Sequence, residues 1–144
     1  SVGSGSSLAL LLLDIDHFKL FNDRFGHQNG DQVLRLVAQC LRGSVGRRTD
    51  LVARYGGEEF LVVAPETDVA GALVTAERLR AQVAGLTIST DQGDRKVTVS
   101  VGVAVFSHDV PALRELWRRA DAALYAAKRS GRNRVVAANT LPKP

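Results

Sequence analysis

The stretch Arg54-Tyr55-Gly56-Gly57-Glu58-Glu59-Phe60 lies between two apolar runs, Leu51–Ala53 and Phe60–Ala64. A Gly-Gly pair between strand-like runs predicts a two-residue β-hairpin turn, because such turns need positive φ angles that glycine adopts without steric cost. Glu58 and Glu59 would then stand at the hairpin tip, beside glycine backbone that leaves room for a ligand. Two adjacent acids at an exposed tip can also be merely solvated, so their meaning depends on a second acidic position in the chain.

The composition indicates one globular domain. The chain has 144 residues, and 45% of them are apolar, which is enough for a hydrophobic core. A net charge of +4 and a pI near 9.7 suit anionic partners such as nucleotides without selecting one. The single cysteine, Cys40, excludes an intrachain disulfide, and no apolar run reaches transmembrane length. We expect a cytoplasmic domain without direct membrane contact: a linker or expression remnant over 1–7, the domain over 8–139 and a frayed tail over 140–144.

Hydrophobic periodicity predicts helices packed on a mixed, largely antiparallel sheet, which is an α/β (α+β) fold. Leu8–Leu13 is a continuous apolar run and is typical of a central strand buried on both faces. Further strands are predicted over the hairpin, 86–90, 97–105 and 133–138, the alternating valines of 97–105 giving one heavily apolar face. Helices are predicted over 17–26, 31–42, a third segment ending near Ala84, and 111–129. Asp31 would cap the second helix, Pro111 would lie in the first turn of the last, and Leu113 and Trp117 would face inward from it.

Acidic side chains also follow the first predicted strand, at Asp14 and Asp16. If this strand pairs with the hairpin, Asp14 and Glu58 converge at one end of the sheet, with the Ile15 carbonyl between them. Three hard oxygen ligands, with positions left for water and phosphate, suit Mg²⁺, or Mn²⁺ in its place. The backbone N–H groups that open the next helix, those of His17, Phe18 and Lys19, form an anion cradle.

Two further pairs of side chains have the chemistry of nucleotide ligands. Lys128 and Arg132 lie at a predicted helix end, spaced to bind a triphosphate as a point charge and a fork; the alternative is a solvated helix end. Asn22 and Asp31 supply an amide and a carboxylate, and a carboxylate accepts from the two donors on the guanine edge, a pair that adenine lacks. Asp31 serves equally well as a helix cap alone.

Several motifs occur in order along the chain at fitting spacings. They are Asp14-Ile-Asp-His-Phe-Lys-Leu-Phe-Asn-Asp23, Phe25-Gly-His27, Gly30-Asp31, Ala53-Arg-Tyr-Gly-Gly-Glu-Glu-Phe60, Val99-Ser-Val-Gly-Val103 and Ala120-Asp-Ala-Ala-Leu-Tyr-Ala-Ala-Lys128 through Gly131-Arg-Asn133. Together they closely resemble the GGDEF diguanylate cyclases, in a GGEEF variant, from about residue 8 to residue 138. The resemblance implies a sheet similar to nucleotide cyclase and polymerase palm domains, a ferredoxin-like sheet with extra elements.

The resemblance also implies an activity: two GTP molecules, one on each protomer of a two-fold homodimer, condense to cyclic di-GMP and two pyrophosphates. By this resemblance Asp14, the Ile15 carbonyl and Glu58 hold the metal, Asn22 and Asp31 bind guanine, and Lys128 and Arg132 bind the terminal phosphates. Glu59 becomes the candidate for taking the proton of the attacking 3′-hydroxyl. Phe18, Lys19, Gly56 and Gly57 would contact the nucleotide through their backbone.

A second, inhibitory site follows from the same resemblance. Arg47 and Asp50 match the family's Arg-x-x-Asp motif for product inhibition, and Arg78 matches a helix position that supplies a facing arginine. Alone, such a motif is a surface ion pair of little energetic value. Family members usually carry a further segment before the first strand, joined to a sensory or dimerising domain, and here that place holds Ser1–Ser7.

Two other functional classes remain open at this stage. One is a non-catalytic receptor that binds cyclic di-GMP through Arg47 and Asp50, although receptors of this family usually lose a metal carboxylate or the Gly-Gly pair, which this chain keeps. The other is RNA binding, suggested only by fold analogy and the basic pI, and the aromatic sheet-face signature of such proteins is missing. We therefore expect nucleotides, and no nucleic acid, as partners.

Overall fold

The computed structural model describes residues 7–44, 50–106 and 112–142. Three sequence predictions lie outside these ranges: the linker before Ser7, the inhibitory Arg47, and Pro111 in the first turn of the last helix. The last two residues of the predicted tail also lie outside them.

The described chain contains seven strands and four α-helices. The strands are β1 (Leu8–Ile15), β2 (Leu51–Arg54), β3 (Glu59–Pro65), β4 (Ile88–Thr90), β5 (Gly93–Arg95), β6 (Val99–Phe106) and β7 (Val135–Ala137). The helices are α1 (Phe18–Phe25), α2 (His27–Ser44), α3 (Val69–Ala84) and α4 (Leu113–Arg129), and a 3₁₀ turn follows at Ala138–Thr140. None of the described helices is long and apolar enough to cross a membrane.

Five strands form the main sheet in the order β2-β3-β1-β6-β7. All neighbours are antiparallel except β6 and β7, which are parallel, so the predicted mixed, largely antiparallel sheet is confirmed. The strands β4 and β5 pair as a separate hairpin, where the sequence indicated only a strand followed by a turn.

The apolar run of β1 is the centre of the core, as predicted. Leu11, Leu13 and Ile15 are buried in the cluster that α2 and α3 cover, whereas Leu10 and Leu12 belong to the cluster under α4. Because side chains alternate along a strand, a run that is apolar at every position can serve both faces. Asp14 follows Leu12 on the α4 side of the sheet, which sets the direction of its carboxylate.

The alternating valines of β6 form the predicted apolar face, and the opposite face is also buried from Val99 to Ala104. Small residues between the valines explain the burial of that second face, since they let α4 approach the backbone closely. A Cβ atom added to Gly102 would lie 2.3 Å from both the Ala120 carbonyl oxygen and the Leu124 nitrogen. Gly102 therefore fixes how closely α4 packs on the sheet.

The hairpin is confirmed, but its predicted two-residue turn is wrong. Arg54 pairs with Phe60, and the Tyr55 N–H donates to the Glu59 carbonyl at 3.0 Å. The loop therefore consists of the three residues between Tyr55 and Glu59. Neither Gly56 nor Gly57 has a positive φ. A longer loop reverses the chain without left-handed residues, and it moves Glu58 out of the strand and into the loop.

Two predictions about the helices are also wrong. The helix α2 begins at His27, because the Gly30 N–H already bonds to the Gly26 carbonyl at 3.0 Å, so Asp31 lies inside the helix and is not its cap. Leu113 and Trp117 are 65% and 38% exposed, and do not face the core. The Trp117 ring instead packs edge-on against Tyr55, with centroids 5.0 Å apart.

Candidate active site

A pocket of about 270 Å³ opens where β1 ends and α1 begins. Its walls come from three separate parts of the chain: the segment 14–20, the hairpin loop, and the end of α4 with the loop that follows. The lining residues are Asp14, Ile15, Asp16, His17, Phe18, Lys19, Leu20, Glu58, Lys128 and Arg132. All three proposed metal ligands and both proposed phosphate ligands therefore lie in one pocket.

The pairing of β1 with β3 brings Asp14 and Glu58 together. Asp14 lies opposite Glu59 in the register of the two strands, and the Ile15 N–H donates to the Glu58 carbonyl at 3.2 Å. The Asp14 side chain is 8% exposed and accepts a hydrogen bond from the Lys128 ammonium. The expected convergence at one end of the sheet is thus present, with a cation already beside one of the two carboxylates.

The two carboxylates crowd each other. Burial raises the pKa of Glu58, and the charges of Asp14 and Glu59 raise it further, against smaller opposing effects from its own backbone and from Lys128. Both effects disfavour the ionised carboxyl group. A divalent cation beside Glu58 would offset this penalty, because a positive charge favours the ionised carboxylate.

The donor set fits Mg²⁺ better than a softer metal. It offers two carboxylates and one backbone carbonyl, which are the hard oxygen ligands that Mg²⁺ takes alongside water and substrate phosphate. In the described residues no group of three or more His, Cys, Asp or Glu side chains is arranged to hold a metal ion. An ion at this place would therefore take its remaining ligands from solvent or substrate.

The start of α1 forms one wall of the pocket. His17 precedes the helix in a left-handed conformation, with φ 57°, and contributes no side-chain cap. The first N–H groups of a helix have no carbonyl partner within it. The three residues of the predicted anion cradle, His17, Phe18 and Lys19, all line the pocket, as an anion site at a helix start requires.

Asn22 and Asp31 lie close together but outside this pocket. The Asn22 amide packs onto Gly30, where a Cβ atom would come within 1.6 Å of Asn22 Oδ1. That oxygen is buried and has no hydrogen-bond partner in the described structure. Asp31 is exposed and lines a second pocket of about 370 Å³. Asn22 thus contacts the residue that precedes Asp31, and its oxygen lacks the hydrogen-bond donor that a buried acceptor normally has.

Glu59 does not line the pocket that holds Asp14 and Glu58. Its carboxylate folds over Gly56, where a Cβ atom would come within 3.0 Å of Glu59 Oε2. It also lies near Tyr55, whose pKa is raised first by burial and then by the charges of Glu59, Asp121 and Asp14. Glu59 thus lies next to the candidate metal site of Asp14 and Glu58, and its carboxylate is directed toward Gly56 and Tyr55 in the hairpin.

Two of the three predicted inhibitory-site residues are described. Asp50 is half-buried, and its Oδ1 atom has no hydrogen-bond partner among the described residues. Arg78 is exposed on α3 and donates to the Ser44 carbonyl at 2.8 Å. Arg78 thus contacts the last described residue before Arg47, and Asp50 is the first described residue after it.

Sequence reasoning missed the role of Asp16. This carboxylate is buried and accepts hydrogen bonds from the Thr98 and Ser100 hydroxyls, both at 2.6 Å, and from the Asn133 N–H at 3.0 Å. It ties the end of β1 to β6 and to the loop after α4. The polar Thr98 and Ser100, between the valines of an otherwise apolar strand, were the available signal.

Comparison with known proteins agrees with this geometry. The family model described as diguanylate cyclase, GGDEF domain, matches residues 2–134. Diguanylate cyclase A of Treponema denticola is 44% identical over 138 residues, which are 95% of this chain and 37% of that protein. Diguanylate cyclase DgcM of Escherichia coli K12 is 48% identical over 130 residues, which are 90% of this chain and 30% of that protein. The chain thus spans about a third of the length of these relatives.

Solved structures with the same fold include ligand-bound and active domains. The GGDEF domain of DgcB from Caulobacter crescentus, in complex with c-di-GMP, has a TM-score of 0.85 at 43% identity, covering 92% of this chain and 78% of that one. The active GGEEF domain of a diguanylate cyclase from Vibrio cholerae has a TM-score of 0.85 at 37% identity, covering 91% and 82%. The match over most of the chain, with the motif residues gathered in one pocket, shows that this chain belongs to the diguanylate cyclase GGDEF domain family.

Proposed function

We propose that this domain condenses two GTP molecules into cyclic di-GMP and two pyrophosphates. The observation that carries the proposal is the single pocket in which Asp14 and Glu58 meet Lys128 and Arg132. Two carboxylates suited to a divalent cation, next to two cations suited to phosphate, form a site for a metal–triphosphate complex. Family membership supports the same substrate class.

Asp14, the Ile15 carbonyl and Glu58 would hold Mg²⁺ or Mn²⁺. When bound, the ion would neutralise phosphate charge and polarise the phosphate that is attacked. Lys128 is now paired with Asp14, and a metal ion on this carboxylate would leave its ammonium for the triphosphate. Arg132 would bind the terminal phosphates beside it.

The reaction is an in-line attack of a 3′-hydroxyl on an α-phosphate, with pyrophosphate as the leaving group. In phosphoryl-type transfers, catalysis comes mostly from alignment and charge neutralisation. The N–H groups at the start of α1 and the side chains of Lys128 and Arg132 would supply both for the phosphates. Glu59 would help to remove the proton of the attacking hydroxyl, from its place beside the pocket.

Guanine recognition would depend on Asn22 and Asp31. The Asp31 carboxylate would accept from the ring N–H and the exocyclic amine of guanine, and the buried Asn22 oxygen would receive a donor that it lacks in the described structure. Adenine does not present this pair of donors. The site would therefore prefer GTP to ATP.

One domain binds one of the two reacting nucleotides, so the reaction requires a two-fold homodimer whose pockets face each other. The relatives are about three times as long as this chain, so a full-length protein of that size would have room for a domain that brings two copies together. A sensory or dimerising partner domain is accordingly part of the proposal.

Product binding at Arg47, Asp50 and Arg78 would inhibit the enzyme. The DgcB domain was solved in complex with c-di-GMP. In this chain Arg78 contacts Ser44, the last described residue before Arg47, and Asp50 is the first described residue after it. This second site is also what a non-catalytic receptor would use. The retained carboxylates of the first pocket favour the enzyme over the receptor.

GTP turnover by the domain, fused to a constitutive dimeriser, tests the proposal. The fusion is incubated with GTP and Mg²⁺, and the products are separated by chromatography. We expect cyclic di-GMP and pyrophosphate from the parent and none from Asp14→Asn or Glu58→Gln. The control Asp94→Asn alters an exposed carboxylate on the β4–β5 hairpin and should be fully active. Binding of cyclic di-GMP without any turnover would identify the receptor instead.

A further inference from the structure

The loop after α4, which presents Arg132 to the pocket, has an uncommon backbone. Gly131, Arg132 and Asn133 are consecutive residues with positive φ angles of 128°, 64° and 46°. Arginine rarely adopts this conformation, because Cβ crowds the following carbonyl oxygen. Such a conformation persists when surrounding contacts impose it. The contacts that hold this loop therefore decide where the Arg132 side chain lies.

The first contact joins the loop to Asp16, just after the end of β1. The buried Asp16 carboxylate accepts the Asn133 N–H at 3.0 Å, and the Thr98 and Ser100 hydroxyls hold that carboxylate in place. The Arg132 N–H donates to the Ala127 carbonyl at 3.0 Å, which anchors the loop to the last turn of α4.

The second contact joins the same loop to Arg80 on α3. Arg80 Nη1 donates to Asn133 Oδ1 at 2.7 Å. The other two nitrogens of the same guanidinium bind the Glu77 carboxylate in a bidentate pair: Nε donates to Oε1 at 2.9 Å and Nη2 donates to Oε2 at 2.6 Å. The Arg80 side chain is only 19% exposed, so Glu77 fixes its direction in a partly desolvated place. Arg80 itself is not among the residues that line the pocket.

We propose that Arg80 is a positioning residue for phosphate binding, and that it acts through Asn133 on Arg132. With both Asn133 contacts in place, Arg132 is held in its left-handed conformation and its guanidinium faces the phosphate side of the pocket. Without Arg80 the Asn133 side chain loses this partner, and only the backbone bonds to Asp16 and to the Ala127 carbonyl hold the loop. Arg132 then samples other directions before the nucleotide binds. This inference rests on the proposed function, because it assumes that Arg132 contacts the β- and γ-phosphates.

Affinity for a GTP analogue with a methylene bridge between its α- and β-phosphates, measured by calorimetry with Mg²⁺, tests the proposal. We expect Arg80→Ala to weaken binding roughly fivefold to tenfold, the scale of one lost charge-assisted contact in a preorganised site. Affinity for GMP, which lacks the phosphates that Arg132 would bind, should not change. Asn133→Gly should reproduce the effect, because glycine tolerates the positive φ but lacks the amide oxygen.

Arg118→Ala is the matched control. Arg118 pairs with Glu115 three residues earlier on α4, as Arg80 pairs with Glu77 on α3, but no hydrogen bond described for it reaches the 131–134 loop. Its removal should leave the affinity for the analogue unchanged. Thermal unfolding of each variant shows whether it is folded before binding is measured.

A double-mutant cycle separates positioning from a general loss of stability. If Arg80 acts through Arg132, Arg80→Ala should have no further effect on affinity in an Arg132→Ala background. A full additional loss in that background, or equal loss of GMP affinity, would overturn the proposal while leaving the proposed enzyme intact. If Arg132→Ala alone does not weaken analogue binding, the phosphate assignment of Arg132 is wrong, and the positioning proposal falls with it.

Discussion

Gly102 offers a stringent test of how the fold places the candidate site. It lies on β6 directly under α4, and a Cβ atom there would lie 2.3 Å from the Ala120 oxygen and the Leu124 nitrogen and 2.8 Å from Leu124 Cα. These are backbone atoms of a helix, so no side-chain rotation relieves the overlap. Gly102→Ala should therefore push α4 outward by about 1 Å or more to restore ordinary contact distances.

The expected cost follows from this displacement. Overpacking a well-packed interior typically lowers the free energy of unfolding by about 1–3 kcal/mol. Because the overlapping atoms belong to helix backbone, which cannot move aside alone, we expect Gly102→Ala to lie at the upper end, about 3 kcal/mol. For a chain of this size that lowers Tm by on the order of 10 °C. Because α4 carries Lys128 next to Asp14, turnover of GTP by the dimerised protein should fall as well.

Urea and thermal unfolding of the variant provide the measurement, with Gly43→Ala as the matched control. Gly43 lies near the end of α2, and a Cβ atom there would meet no heavy atom within 4 Å. Alanine is the better helix former by up to about 1 kcal/mol, so this variant should be slightly more stable than the parent. A Gly102→Ala protein with unchanged stability would refute the close packing of α4 on β6.

Three further predictions follow from the site. Gly30→Ala should displace the Asn22 amide, so calorimetry should show weaker GTP-analogue binding and a smaller preference over the ATP analogue, with little change in Tm. Mg²⁺ at about a hundredfold its Kd should stabilise the parent by about 2.7 kcal/mol in urea unfolding, and Asp14→Asn should lose most of this gain. Ser100→Ala removes one of the hydroxyls on the buried Asp16 carboxylate, and should lower the free energy of unfolding by about 1–3 kcal/mol.

The parts of the fold that sequence predicts are those with strong local patterns. The unbroken apolar run of Leu8–Leu13 requires a strand that is covered on both sides, and this strand places Asp14 at its end. The apolar runs on either side of the Gly-Gly pair predict the two strands of the hairpin, and so they place the acidic residues between these strands at its tip. The two local patterns place Asp14 and Glu58 at the ends of their own elements, and the pairing of β1 with β3, which the sequence analysis had to assume, brings them together.

The errors arose where long-range contacts override local preference. Glycines at Gly56 and Gly57 indicated a tight turn, but the pairing of Arg54 with Phe60 fixes a longer loop. The polar segment before Asp31 looked like a loop, yet it forms the first turn of α2. Trp117 fitted the inward spacing, but its contact with Tyr55 on the hairpin holds it at the surface.

The Asp16 network had no local signal strong enough to predict it. Its members come from β1, β6 and the loop after α4, and Arg80 adds α3 through Asn133. Their separation along the chain hides the hydrogen bonds that join them. Only the fold shows that these polar residues meet beside the candidate active site.

Anomalous diffraction from crystals grown with Mn²⁺ and the methylene-bridged GTP analogue tests the central claim most directly. We expect an anomalous peak bound by the Asp14 and Glu58 carboxylates and the Ile15 carbonyl oxygen, in contact with the analogue's phosphates. A peak at other residues, or a bound analogue with no peak between these two carboxylates, would contradict the account.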